Sequence, residues 1–341
     1  MRPTNLLKGI FSSSSVCLGL DIGNFSVKLA QIKKKSLSKE RILSFAVAPI
    51  KGEKTRDRII EAIRQACDNL ATDSKKVNLS IGGPNIIIRY LVLPWMKEGD
   101  LSKALEFELE RYIPFKREEA VIDYHVLGKL LNNQIIVLLA AAERWLIQER
   151  VNLIKDAGLE PQLINIDAIA LTEAFKAASP HAKGAVGFLD IGYRVSKLIV
   201  LERDIPYFSR DIEIGEHDII QTVSEKIGID FNLAKQWAYY SDDKIKEIAE
   251  VTKLTINTLL NELSLSFEYC ERNLEKKVGQ LYLSGGGSKI KVLLDALEKA
   301  QGLKVNNLDP TQGFRLSSSI TAEDLKEYAH LLAVAIGLAI S

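Results

Sequence analysis

Little in this sequence points to metal, redox or extracellular chemistry. Only three cysteines occur (Cys17, Cys67, Cys270), without metal-ligand or redox spacing, and that odd set suits reduced thiols in a cytoplasmic compartment. Only four histidines occur (His125, His181, His217, His330), far apart in sequence, and each reads as an ordinary surface or interface histidine. Neither charge sign is in excess: 45 Lys and Arg stand against 44 Asp and Glu, so no global field draws the chain to nucleic acid or anionic lipid. Long hydrophobic runs are missing too. The stretch Leu331 to Ile340 holds about ten residues where a bilayer span takes roughly 20, which predicts a buried helix. The opening MRPTNLLKGIFSSSSV lacks the apolar length and cleavage site of a secretory signal. No charged amphipathic helix ends the chain as a membrane-targeting device would. The expectation is a cytoplasmic protein, whose 341 residues suit two domains of about 150 each.

What is present is a repeated phrase. Residues 20–29 read LDIGNFSVKL and residues 189–198 read LDIGYRVSKL. Each copy has an Asp, a Gly two residues on, a Lys seven residues after the Asp, and a Leu. Around each copy the periodicity predicts strands: Val16–Asp21, Ser26–Ile32 and Arg41–Ala48 in the first half, then 185–190, 195–202 and 205–211 in the second. The basic run KKKSLSKER between the second and third strands reads as a solvated hairpin tip. Helices are expected at about Thr55–Leu70, Glu143–Ala157 (ended by Gly158) and Asp167–Ala178 in the first half. In the second they are expected near 216–227, 231–240, 244–274 and 289–300, with a last one from about Ala322.

Residues 77–142 change character: strands at Val77–Ile81 and Ile86–Leu93, a helix with Leu101, Leu105, Leu109 and Tyr112 on one face, and strands at 121–127 and 134–142. This predicts a small inserted α+β module. The division is therefore 1–15 as an N-terminal extension, 16–178 as the first domain with 77–142 inserted, and 179–341 as the second, with SPHAKG (179–184) as linker.

A strand that ends in Asp, then Gly, turns this pattern toward phosphate chemistry. A carboxylate at a strand end can hold Mg²⁺, usually through water, because hard cations prefer oxygen and keep much of their hydration. The Gly lets backbone N–H groups approach phosphate oxygens. Two such hairpins facing each other would clamp a polyphosphate and couple nucleotide binding to domain closure. A third element, LYLSGGGSKIKVLLDAL (281–297), is a strand, a triple-Gly turn and a helix opened by Ser288. It offers bare backbone to a base or ribose, with the stem of Lys289 beside it.

These three elements in this order resemble the actin-like ATPase superfamily. The stretches 89–128, 135–161 and 164–171 resemble the type IV pilus assembly family PilM. That resemblance covers the chain from Val16 onward and implies two actin-like (ribonuclease H-like) α/β domains around a nucleotide cleft, the last helix (about 322–341) returning to the first domain. It implies a first phosphate loop of Asp21, Gly23, Asn24, Phe25, Ser26 and Lys28, and a second of Asp190, Gly192, Tyr193 and Ser196. It further implies an adenosine site of Gly285, Gly286, Gly287, Ser288 and Lys289, with Lys235 near the base but without a clear acidic companion. ATP and Mg²⁺ are the implied ligands, with Asp21 and Asp190 holding the metal through water. The second loop departs from the superfamily's small residues: either Arg194 meets phosphate, or Tyr193 and Arg194 narrow the cleft. No position stands out for activating water; Asp167 is the candidate, and hydrolysis is expected to be slow or absent. The implied role is a cytoplasmic adaptor, peripheral at the inner membrane, docking the cytoplasmic tail of a PilN-type membrane protein. The inserted module is the expected docking site, with Glu106, Glu108 and Glu110 as an acidic helix face. The rival readings are a sugar-kinase-type phosphotransferase and a nucleotide-free secretion-platform protein.

Overall fold

The computed structural model describes residues 16–34, 41–83, 85–112, 116–130, 132–178 and 182–341. The N-terminal extension, most of the basic run, the Pro114 helix stop and half of the SPHAKG linker lie outside them.

Strands β1 (Val16–Ile22), β2 (Ser26–Lys34) and β3 (Arg41–Pro49) form an antiparallel meander, followed by helix α1 (Arg56–Leu70) and strand β4 (Lys76–Ile81), which pairs parallel with β1. Then come β5 (Ile86–Pro94), α2 (Glu98–Tyr112), β6 (Ala120–Leu130), β7 (Gln134–Glu143), α3 (Arg144–Asp156), β8 (Glu160–Ile166) and α4 (Asp167–Ala178). The second half has β9 (Ala185–Ile191), β10 (Ser196–Glu202), β11 (Ile205–Ile212), α5 (Glu216–Ile227), α6 (Phe231–Tyr240), α7 (Ile245–Leu274) and β12 (Val278–Ser284). A 3₁₀ turn (Gly286–Lys289), α8 (Lys291–Gln301), β13 (Lys304–Asn307), β14 (Arg315–Leu316), α9 (Ala322–Tyr328) and α10 (Ala333–Ile340) complete it.

The repeat is architectural. The first sheet runs β14-β3-β2-β1-β4-β8 and the second β11-β10-β9-β12-β13. In both, an antiparallel meander is extended by two parallel strands on the side of its first strand. Alternation in β2 explains why both faces are covered. Val27 and Leu29 join the core under α1, whereas Ala30 and Ile32 join a core built with Leu332, Ala335 and Ile336. Both faces need a helix because both carry apolar side chains.

Two expectations about boundaries are corrected. Lys76–Ile81 is an interior strand of the first sheet, because Val77 and Leu79 share the core of Leu18 and Leu20. The separate three-stranded sheet, β5-β7-β6, therefore begins at Ile86 rather than at 77. One face of it is covered by α2 through Leu101 and Leu105. The other face, with Leu138, Ala142, Ile86 and Ile88, packs into a core shared with Val186, Phe188, Ile199 and Leu201 of the second sheet. The module is inserted in the first half of the chain yet leans on the second.

The single final helix is also corrected. α9 ends at Tyr328, a 3₁₀ turn spans Ala329–Leu331, and α10 restarts at Ala333. α9 has no buried residue, while nearly all of α10 is buried. α10 wedges between β1 and α4, and Gly337 lies so close to the backbone of Ala170 that a Cβ would overlap its carbonyl oxygen.

Candidate functional site

The two LDIG hairpins have matching turns. Gly23 N–H donates to the Ser26 carbonyl and Gly192 N–H to the Val195 carbonyl, each at 3.1 Å. In both, the antiparallel register sets the Asp opposite the Lys seven residues on: Asp21 against Lys28 and Asp190 against Lys197. The parallel neighbours bring a serine beside each acid. Ser284 pairs with Asp190, and Ser80 lies one step beyond the Leu20–Leu79 pair. The phrases LSIGG (79–83) and LSGGG (283–287) thus occupy equivalent strand ends, a second internal repeat that only the sheet alignment makes obvious.

These strand ends enclose a cavity of about 870 Å³, within the range of small-molecule and cofactor sites. Asp21, Gly23, Asn24, Phe25, Ser26, Lys28, Asp167, Asp190, Gly192, Tyr193, Lys235, Gly285, Gly286 and Lys289 all line it. Ser196, Gly287 and Ser288 are not among the lining residues. Ser196 is fully buried and donates to the Ile214 carbonyl. Gly287 packs under Ile191. Ser288 donates to the Gly285 carbonyl at 2.7 Å, closing the turn rather than opening a helix.

The two repeated lysines are used differently. Lys28 pairs with its own Asp21 at 3.0 Å. Lys197 reaches instead to Asp167 at the start of α4, at 3.3 Å, and Ser80 donates to the other oxygen of Asp167 at 2.5 Å. Burial alone would lower the Lys197 pKa, but Asp167, Asp211 and Asp190 together hold it well above the ordinary lysine range. Asp190 is pushed up by burial, with Ser284 donating to it at 2.5 Å in opposition. Asp211, a cavity residue not anticipated from sequence, is likewise raised by burial.

On the opposite wall Lys235 has the acid the sequence reading lacked. Glu216, only 5% exposed, receives it at 2.7 Å. Glu216 opens α5 and Lys235 sits in α6, so the pair exists only through helix packing. Tyr239 donates to the Gly286 carbonyl at 2.9 Å, fastening α6 to the triple-Gly turn. Lys289 does not lie free beside a base position: its Nζ donates to the Lys326 and Glu327 carbonyls at the end of α9. His330 lines the cavity rather than the surface; burial and the nearby Lys289, Lys235 and Lys28 push its pKa down to about 3, so it is neutral. Its carbonyl accepts from Gly285 N–H at 2.7 Å.

The bulky second loop narrows the cleft. Phe25 and Tyr193, from opposite hairpins, have ring centroids 5.6 Å apart, and Tyr193 is backed by His217 at 4.9 Å. Arg194 lies over the Tyr193 ring and is not part of the cavity wall. The lysine of the second repeat was legible as a motif position; its partner in α4 was not.

The residues fit a hydrated divalent cation. Asp21 and Asp190 both face the cavity with one oxygen engaged, by Lys28 and Ser284 respectively. Among the described residues no group of three or more His, Cys, Asp or Glu is placed to hold a metal ion.

The sequence matches, over residues 19–341, the family described as Type IV pilus assembly protein PilM. Among solved structures it is similar to a PilM-PilN type IV pilus biogenesis complex, at 24% identity and TM-score 0.81, over 95% of this chain and 97% of that one. It is similar to ethanolamine utilization protein EutJ from Carboxydothermus hydrogenoformans, at 12% identity and TM-score 0.55, over 96% and 90% of the two chains. It is similar as well to MreB 5 of Spiroplasma citri bound to AMPPNP, at 10% identity and TM-score 0.50, over 96% of each chain. The fold is that of the actin-like ATPases.

Proposed function

This chain belongs to the type IV pilus assembly protein PilM family, and we propose that it is an ATP-binding, actin-like adaptor that docks the cytoplasmic tail of a PilN-type inner-membrane protein. The observation carrying the nucleotide part is the paired hairpins meeting over one cavity with the triple-Gly turn as its third wall. Asp21 and Asp190 would hold Mg²⁺ through water, and the metal would neutralise phosphate charge. Lys235, Glu216 and the bare backbone of Gly285 and Gly286 would receive the nucleoside. Among the described residues no helix is long and apolar enough to cross a membrane, so membrane association would come through the partner.

Turnover is expected to be slow. Asp167 lines the cavity, yet Lys197 and Ser80 already occupy its oxygens, and a general base must be free to accept a proton. Steady-state ATP hydrolysis should fall far below the roughly 10 per second typical of enzymes. A rate at that level, lost on Asp167→Asn, would favour the phosphotransferase reading instead.

For docking, the similarity to a PilM-PilN complex supports the partner, and the small sheet supports the place. β5 and β6 form its two edges, and Val92, Trp95 and Val126 are 48%, 47% and 40% exposed. An extended tail could add to an edge and anchor apolar side chains there. Glu106 on α2 is exposed; the side chains of Glu108 and Glu110 lie outside the described residues. A synthetic partner tail titrated into the full chain should bind with roughly micromolar affinity, about −8 kcal/mol. A Val92→Lys, Trp95→Lys double variant should weaken it at least about tenfold, since a few anchors carry most interface energy. Unchanged affinity in a folded variant would move the docking site off this module.

A further inference from the structure

The charge around the cavity is divided. Around β9, β10, β11 and the start of α4, three carboxylates, Asp167, Asp190 and Asp211, face the single cation Lys197. Beside the first hairpin the balance reverses: Lys28, Lys54 and Arg150 outnumber Asp21 by two positive charges. Lys28 is accounted for by its bridge to Asp21. Lys54 and Arg150 are not. Lys54, in the loop between β3 and α1, donates to Asn24 Oδ1 of the hairpin at 2.9 Å. Arg150 reaches the same wall from α3. Among the described residues no carboxylate pairs with either cation. Burial and the repulsion of Arg150, against the attraction of Asp21, push the Lys54 pKa down to about 8. Two cations on one cavity wall, one hydrogen-bonded to the first hairpin, can together receive an anion.

We infer that Lys54 and Arg150 receive the terminal phosphate of a nucleoside triphosphate, and so make this cleft select triphosphate over diphosphate. The inference rests on the nucleotide reading above and adds what that reading leaves open. Lys54 and Arg150 are the lining cations beside the first hairpin that no carboxylate among the described residues engages, whereas Lys28 is held by Asp21 and Lys235 by Glu216. Lys54 comes from the loop leading into α1 and Arg150 from α3, two elements that pack on each other. A terminal phosphate would therefore draw the hairpin, α1 and α3 together, whereas a diphosphate would leave Lys54 on Asn24.

The test measures dissociation constants of Mg-ATP and Mg-ADP for the full-length wild type, Lys54→Gln, Arg150→Gln and the double variant, with competition by inorganic tripolyphosphate and pyrophosphate on the wild type. The wild type should prefer ATP to ADP and tripolyphosphate to pyrophosphate. Each single variant should lose about tenfold in ATP affinity, the scale of one charge-assisted hydrogen bond, with ADP changed less than about twofold. Equal losses for ATP and ADP, or no loss for ATP, would overturn the receptor role while leaving nucleotide binding intact. Failure of the wild type to bind either ATP or ADP would remove the nucleotide reading and this inference together. If a variant does not fold, equal competition by the two inorganic phosphates on the wild type would still overturn it.

Discussion

Mg-ATP supplied at about 100 times its dissociation constant should raise the unfolding free energy by about 2.7 kcal/mol, the mass-action value for one site. Asp190→Asn should erase most of that gain. The reasoning separates the two acids of the repeat. Asp21 is already neutralised by Lys28, set directly opposite it in the hairpin. The cross-strand lysine of Asp190 has gone to Asp167 instead, so Asp190 is the carboxylate with charge to offer a hydrated cation. Its pKa is raised by burial, and a divalent cation nearby would bring it back down. The asparagine keeps the shape and an acceptor for Ser284 while removing only the charge. Thermal unfolding with Mg-ATP, and with ATP plus chelator, reads the effect. Chelator should mimic the substitution in the wild type and add nothing to the variant. No stabilisation of the wild type by Mg-ATP would sink the cleft as a nucleotide site. Full stabilisation of Asp190→Asn would sink the metal assignment.

Gly337→Val should destabilise the protein by about 3 kcal/mol, the upper part of the range for forcing atoms into a packed core. α10 lies between β1 and α4. A Cβ at Gly337 would overlap the Ala170 carbonyl, and one at Gly19 on β1 would overlap the Ala335 carbonyl on the other side. The obstacle in both cases is backbone, which cannot rotate away as a side chain can. Either α10 moves off α4 or the helix distorts, and both open the core that joins the first sheet to the segment lining the cleft. Gly99→Ala is the control. That glycine is exposed near the start of α2, and an added methyl there would meet nothing within 4 Å, so its effect should stay within about 0.5 kcal/mol. Comparable thermal midpoints for Gly337→Val and Gly99→Ala would show that the crossing is not tight.

The sequence carried the local information almost completely. Each half could be read as strand, Asp, Ile, Gly, strand because burial on both faces writes an apolar run and a tight turn writes a glycine. The helices at Asp167–Ala178, Glu216–Ile227 and Phe231–Tyr240 were legible to the residue, since caps and apolar periodicity act within a few residues. The duplicated hairpin and the triple-Gly turn named most of the cavity wall for the same reason.

What the sequence could not give is every pairing between distant segments. Lys197 follows the repeat in sequence but leaves its own Asp190 for Asp167, because the start of α4 is brought beside β10. Glu216 and Lys235 meet only through the packing of α5 on α6. Lys76–Ile81 reads as part of an inserted module until its hydrogen bonds put it between β1 and β8. Ser196 and Ser288 carry hydroxyls that the fold turns to the Ile214 and Gly285 carbonyls. A side chain's type and its place along an element are local properties; the partner it meets depends on how whole sheets and helices pack, and only the tertiary structure decides that.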